Sequence, residues 1–237
     1  MKILFKLPSR GRKDRFFQAL DSIVNNLQDT ENYHIAATLD TDDEIMNNED
    51  VFYKLAEYKN LSVQWGASKN KIDAVNRSIP DISWDVIVIC SDDIFFNIYG
   101  FDTMIRQEMQ GHFPEGDGYL HFNEKDSGVN LNVMTVCDRK YYERFNYIYH
   151  PEYLSLFADN EQFEVAKMLK RYVYIPYSIM VHKNPAYSEY GMERDELFNQ
   201  QQEIGWTIDQ ETFNRRKAKN FDLHEAVTVN INPNSSW

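Results

Sequence analysis

The chain has 237 residues, 43% hydrophobic and 14% aromatic, which is enough to bury a sizeable core and excludes both a disordered chain and a disulfide-stapled miniature. Lys plus Arg number 25 against 37 Asp plus Glu, a net charge of −12 that repels phosphate backbones and argues against broad nucleic-acid binding. Two cysteines, Cys90 and Cys137, lie in apolar runs and read as reduced core thiols, leaving no disulfide or zinc framework. The longest apolar run, 86–90, falls far short of the roughly 20 residues of a membrane span. The start, 1–15, turns basic where the apolar region of a signal peptide would continue. The expectation is a soluble, cytoplasmic protein with no membrane span.

In chain order, 2–7 is a short apolar run ended by Pro8, and 14–27 then places Phe16, Phe17, Leu20, Ile23, Val24 and Leu27 on one helical face. A second strand is expected over 34–39, ended by the acidic run 40–44, followed by a helix over 51–58 and a third strand over 61–65. The spacing of Ile72, Val75 and Ile79 predicts a helix over 71–79, with Asn70 as its cap and Pro80 at its end. Residues 84–90 are an unbroken buried-type strand that delivers Ser91-Asp92-Asp93 at its carboxyl end. Strands alternating with helices predict an α/β domain with a mostly parallel sheet, whose ligand crevice lies at the carboxyl ends of the strands. The clusters 9–12, 40–44 and 91–93 each follow a strand directly and should converge there. Beyond residue 100 the pattern turns mixed, with strands expected over 118–122, 131–136 and 172–176, and a helix over 160–170.

Two adjacent carboxylates at the end of a buried strand, Asp92 and Asp93, repel each other unless a cation or a proton intervenes. A divalent metal is one answer, and a solvated turn is the other. His182 follows the apolar residues 179–181 and sits at a strand end too; joined to the Asp pair it would complete an O,O,N set suited to Mn²⁺ or Mg²⁺. Asp159 opens a helix whose apolar face is Phe163, Ala166 and Leu169, either as a plain N-cap or as a reactive carboxylate. The loop 9–13 is a solvated turn or a phosphate holder. Aromatic residues crowd 141–153, where they can stack on sugar rings or fill a core.

The order of these signals is more specific than any one of them. Strand-Pro-Ser-Arg, strand-Asp, Lys-Asn-Lys-x-x-Ala-x-Asn, strand-Ser-Asp-Asp, Ala-Asp-Asn-Glu-x-Phe and a late His together resemble the GT-A glycosyltransferases, most nearly the inverting family 2 type, over about residues 1–185. The resemblance implies a GT-A, Rossmann-like nucleotide-diphospho-sugar transferase fold with a mixed C-terminal half. It implies a nucleotide-binding half over 1–100, an acceptor and catalytic half over 101–185, and an extension over 186–237 serving as a lid or interaction segment. It places a UDP- or GDP-linked sugar donor against Pro8, Ser9, Arg10, Asp40, Lys69, Asn70, Asn76, Ser91 and Asp92. It assigns Mn²⁺ or Mg²⁺ to Asp93 and His182 and the general base to Asp159, for inverting, hexosyl-type transfer to a carbohydrate or other hydroxyl acceptor. Ser91 stands where the Asp-x-Asp metal motif has its first Asp, and Ala158 where the family's acidic pair has its first member.

Two alternatives have their own residues. Residues 36–43 also look like the nucleophile loop of haloacid dehalogenase phosphatases, with Asp40 attacking phosphorus, Asp42 as acid, and Asp92 and Asp93 on Mg²⁺; that loop normally follows the first strand, however, and Asp159 and His182 would have no role. The substitutions at Ser91 and Ala158 suit a catalytically silent sugar-nucleotide-binding protein.

Overall fold

The computed structural model describes residues 1–186, 190 and 194–223. Its frame is a seven-stranded sheet in the order β3-β2-β1-β4-β7-β6-β8. The strands are β1 (Ile3–Pro8), β2 (Tyr33–Asp40), β3 (Leu61–Gly66), β4 (Val86–Ile89), β6 (Tyr119–Phe122), β7 (Val136–Asp138) and β8 (Tyr172–Ile175). All neighbours pair in parallel except at β7, which runs against both β4 and β6. That single reversal is the mixed character expected of the second half.

Period-two alternation along the buried strands feeds two helical layers. Ile3, Phe5 and Leu7 of β1, with Val86 and Val88 of β4, face the layer of α1 (Lys13–Asn26), α2 (Glu49–Leu55) and α4 (Phe101–His112). Leu4 and Ile87 face the layer of α3 (Lys71–Asn76), α5 (Arg139–Glu143) and α6 (Ala158–Met168). Both cysteines are buried and free, as the apolar runs around them predict.

Among the elements that differ from the sequence reading, three frame the sheet. The strand expected over 131–136 is β7 instead, because Asn132 intervenes: its side-chain amide donates to the Leu120 carbonyl at 3.1 Å, where a ladder bond would run. Helix α3 stops at Asn76 rather than at residue 79, since Arg77 takes an extended backbone (φ −70°, ψ 149°) that turns its guanidinium back toward β2. Helix α4 carries no element in the sequence reading. It docks through Phe101, whose ring lies 3.9 Å from that of Phe96 and 5.8 Å from that of Phe5.

A two-stranded antiparallel sheet lies apart from the main one. It pairs β5 (Ile94–Phe96) with β9 (Met180–His182) in a register that sets Ile94 opposite His182. The Lys183 amide then donates to the Asp93 carbonyl at 2.7 Å, so the late histidine arrives at the end of β4 through backbone pairing alone. Beyond it come α7 (Glu196–Ile204), a π-helical turn (Gly205–Asp209) and α8 (Gln210–Lys217), of which the turn and α8 pack on the α6 side. The dense aromatic stretch resolves as core at Tyr141, Tyr149 and Tyr153, which are 1%, 8% and 0% exposed. No helix among the described residues is long and apolar enough to cross a membrane.

Candidate active site

The polar clusters that follow β1, β2 and β4 meet at the carboxyl edge of the parallel strands. Pro8 closes β1 opposite Thr38 of β2. Asp40, at the end of β2, is buried, and its Oδ1 accepts three bonds: from the Ser68 amide at 3.0 Å, the Ser68 hydroxyl at 2.6 Å and Arg77 at 3.0 Å. Its Oδ2 accepts from Arg10 at 2.9 Å, and the same guanidinium makes a two-point contact with Asp42 at 2.6 and 2.9 Å. Burial pushes the Asp40 carboxyl up, but Ser68, Arg10 and Arg77 outweigh it and hold the group below the usual range. A carboxylate wrapped this way is a poor nucleophile, which counts against the phosphatase reading.

Beneath this cage lies Lys6, fully buried on β1, whose ammonium donates to Thr38 Oγ1 and, at 2.7 Å, to the Arg77 carbonyl. Burial and the nearby Arg77 charge bring its pKa down to about 7.

Asn70 caps α3, accepting from the Asp73 amide at 2.9 Å, while Asp73 accepts from the Lys69 amide at 2.9 Å. Asn76, at the other end of α3, accepts from the Ile148 and Tyr149 amides at 2.9 and 3.0 Å and donates to the Tyr149 carbonyl at 2.6 Å. Its side chain therefore ties α3 to the loop that leads toward α6.

At the end of β4 the adjacent carboxylates separate. Asp92 accepts from Ser9 Oγ at 2.7 Å and from Arg12 at 3.2 Å, and burial together with the charge of Asp93 raises its pKa despite Arg12. Asp93 accepts from the Ser91 hydroxyl through Oδ1 and turns Oδ2 to His182 Nε2 at 3.5 Å. Burial opposes ionisation of Asp93, but His182, Ser91 and Lys71 together drive its pKa well down. In the reciprocal sense, burial lowers the basicity of His182 and Asp93 more than restores it.

Asp159 sits in the first turn of α6, but it is not the cap; that place belongs to Phe157. Burial raises the Asp159 pKa, against the lowering influence of Lys71 and of His182. Asp93, His182 and Asp159 thus come from three separate parts of the chain into one electrostatic neighbourhood, with Lys71 acting on all three.

Sequence reasoning missed several members of this site. Lys71 was visible only as one more residue of α3, and Arg77 only as an unattached cation near it. Arg12 donates to Asp195 at 2.7 and 2.9 Å while also reaching Asp92, so the N-cap of α7 is fastened beside the Ser91-Asp92-Asp93 turn. A helix-capping aspartate is the sole signal at Asp195, and it says nothing of a distant arginine. A cleft of about 320 Å³ lined by residues 11–15, Ile45 and Asp195 opens beside Arg12, and neither Asp93 nor Asp159 lines it.

Asp93 and His182 offer a carboxylate oxygen and an imidazole nitrogen to a common point, a donor pair suited to a hard or borderline divalent cation. Among the described residues no three ligating side chains gather, so a cation at this point would have Asp93 and His182 as its side-chain ligands from these residues. Asp92 is directed to Ser9 and Arg12 instead.

No protein-family model and no curated protein sequence matches the chain. Solved structures do match by fold. Residues 1–349 of TarS from S. aureus superpose with a TM-score of 0.61 at 13% identity, covering 78% of this chain and 61% of that one. TarS in complex with UDP-GlcNAc gives 0.60 at 12% identity, over 76% of this chain and 58% of that one. The mannosyltransferase PcManGT from Pyrobaculum calidifontis, in complex with GDP-Man and Mn²⁺, gives 0.61 at 12% identity, over 76% and 56%. The chain spans about three-fifths of the length of the matched TarS chain. A mostly parallel α/β sheet with one reversed strand, closed by a small second sheet, and these neighbours together identify the architecture as that of the GT-A-type glycosyltransferases.

Proposed function

We propose that the protein is an inverting glycosyltransferase that moves a hexosyl group from a nucleotide-diphosphate sugar to an acceptor hydroxyl. One observation carries this: Asp93, at the end of β4, and His182, at the end of β9, meet at 3.5 Å in the electrostatic neighbourhood of Asp159. That combines a cation-binding pair and a carboxylate of raised pKa at the ligand-binding edge of a sheet whose fold neighbours carry UDP-GlcNAc and GDP-Man.

Asp40 and Arg10 face the nucleoside, with Pro8, Ser9, Lys69, Asn70 and Asn76 shaping that end of the crevice. Ser91 and Asp92 hold the turn that presents Asp93. Asp93 and His182 would hold Mn²⁺ or Mg²⁺, which would supply positive charge against the negative charge of the departing diphosphate. Lys71 adds a fixed cation to the same region. Asp159 accepts the proton of the acceptor hydroxyl as it attacks the face of the anomeric carbon opposite the leaving group, and direct displacement inverts the configuration. Burial raises the affinity of this carboxyl for a proton, which suits a base.

The test is donor turnover. UDP-GlcNAc and GDP-Man, each with Mn²⁺, are incubated with the protein and release of the nucleoside diphosphate is followed. Slow release to water is expected, abolished by EDTA and by Asp93→Ala. Calorimetric affinities for UDP and GDP that ignore both EDTA and Asp93→Ala would sink the cation-bridged reading. Turnover of an aryl phosphate, lost in Asp40→Asn, would move the assignment to a phosphatase.

A further inference from the structure

Helix α6 begins at a residue in a costly backbone conformation. Its N-cap, Phe157, lies in the left-handed region (φ 62°) and has no side-chain oxygen to accept from the first-turn amides, of which that of Asn160 donates to Asp159 at 2.9 Å. For a residue with a Cβ that conformation costs about 1–2 kcal/mol. The three residues before it reveal what fixes it. The amides of Leu154, Ser155 and Leu156 all donate to the carboxylate of Asp209, at 2.9, 2.7 and 2.8 Å.

Asp209 is wholly buried and closes the π-helical turn between α7 and α8. Charge-assisted bonds from three amides give a buried carboxylate the partners it needs, and in return they clamp the chain that enters α6. The first residue of the same turn, Gly205, approaches so closely that an added Cβ would lie 2.3 Å from the Leu156 side chain. The ring of Phe157 meets Trp206 edge-on at 5.3 Å and Phe213 at 5.7 Å. One helical turn further on, Glu161 accepts two bonds from Arg216 of α8, at 2.7 and 2.9 Å, with both side chains buried.

We propose that the turn Gly205–Asp209 is a positioning device for α6, with Asp209 a positioning residue that acts through 154–157 to set the place of Asp159 at the active site. The inference rests on the reading of Asp159 as general base. It gives the segment beyond the first 185 residues a role in turnover: Asp209 touches no reacting atom, yet it fixes residues 154–156, three to five positions before Asp159. A π-turn at this point is consistent with such use, since these irregular turns recur at functional sites.

The test compares Asp209→Asn, Asp159→Asn and the parent protein in release of nucleoside diphosphate from UDP-GlcNAc or GDP-Man with Mn²⁺, at a temperature well below the melting point of each. Asn at 209 presents a donor where the loop needs an acceptor. Donor affinity should be unchanged and kcat should fall about 10–100-fold, as misplacement of a reacting group on the ångström scale does. A merely stabilising role would lower the melting temperature and leave kcat alone. Unchanged kcat in a folded Asp209→Asn protein, with Asp159→Asn inactive, overturns the inference alone. Near-normal turnover in Asp159→Asn overturns the base assignment and the inference together. If Asp209→Asn does not fold, Gly205→Ala is used instead: it pushes on Leu156 without removing a hydrogen bond or a charge, and the same loss of kcat at constant donor affinity is expected.

Discussion

Asp40, at the end of β2, and Asp159, in the first turn of α6, are both carboxylates of the candidate site, and the chain treats them in opposite ways. Asp40 ends β2 inside a ring of donors from Ser68, Arg77 and Arg10, and its pKa is held down. Asp159 stands in the first turn of α6 with the Asn160 amide on its Oδ1 at 2.9 Å, and burial holds its pKa up. The first is held in its charged form and fixed in place, which suits recognition of a ligand. The second can exchange a proton, which suits catalysis. Residue type alone does not separate these roles; the neighbouring donors and the degree of desolvation do.

The sharpest way to break the comparison is to neutralise each carboxylate in turn. Asp159→Asn keeps size and shape and leaves the Phe157 cap untouched, so folding and donor affinity should survive while kcat falls roughly 10²–10⁴-fold. A folded, donor-binding Asp159→Asn protein with near-normal turnover would take Asp159 out of the mechanism. Asp40→Asn should act on stability instead. It leaves the largely buried Arg77 without its charged partner while Arg10 keeps Asp42, a loss of about 2–3 kcal/mol. Because the folded pKa of Asp40 is depressed, its contribution is present above the ordinary carboxyl range and disappears as pH falls through the folded value. The difference in urea midpoint between parent and Asp40→Asn should therefore shrink on acidification, and a difference independent of pH would show that the cage is not ionic.

The two parts of the site were also unequally legible in the sequence. Strand ends were readable because an apolar run such as 86–90 stops abruptly at charged residues, and the parallel α/β order then places those ends together. The mostly parallel sheet, the buried cysteines and the arrival of His182 at a strand end follow from such local patterns. What stayed hidden depends on partners remote in sequence. Arg12 with Asp195, Glu161 with Arg216, and Asp209 with the amides of 154–156 each read locally as ordinary solvated or capping charges. The start of α6 is the clearest case: capping preferences put an aspartate at the N-cap, whereas the chain uses Phe157 there and borrows its stabilisation from the π-turn. Helix α3 is similar, since its end is set by the return of the Arg77 guanidinium to Asp40 rather than by the proline at 80.

The recognition side can be sharpened through Lys6, which lies under the Asp40 cage with a folded pKa of about 7, against about 10.4 in an unfolded chain. Between those values the unfolded state binds more protons than the folded one, so stability should climb with pH from about 7 toward 10, by at most ~1.4 kcal/mol per pH unit. Lys6→Met fills the same volume without the amine, and it should lose that slope. Urea midpoints measured for both proteins across this range give the comparison directly; parallel curves would mean that Lys6 stays charged in the fold.

The smallest effect is the most specific to the catalytic side. Lys71 begins α3 and is exposed, so Lys71→Met should barely change folding, yet its charge acts on Asp93, His182 and Asp159 together. Its influence on Asp159 is to favour the carboxylate against the push of burial. Removing the cation leaves burial less opposed, so the Asp159 pKa should rise and the acidic limb of the kcat profile for donor hydrolysis should move to higher pH. Turnover requires the carboxylate, and the variant should lose activity at mildly acidic pH while approaching the parent on the alkaline plateau. Lys71→Arg retains the charge and should keep the limb near its original place. The nucleotide side provides the control, because no comparable influence of Lys71 on Asp40 is present and the pH dependence tied to the Asp40 cage should be the same in both proteins. An acidic limb that stays fixed in a folded Lys71→Met protein would mean that Asp159 does not set it, and would move the question of the base to a group beyond the influence of Lys71.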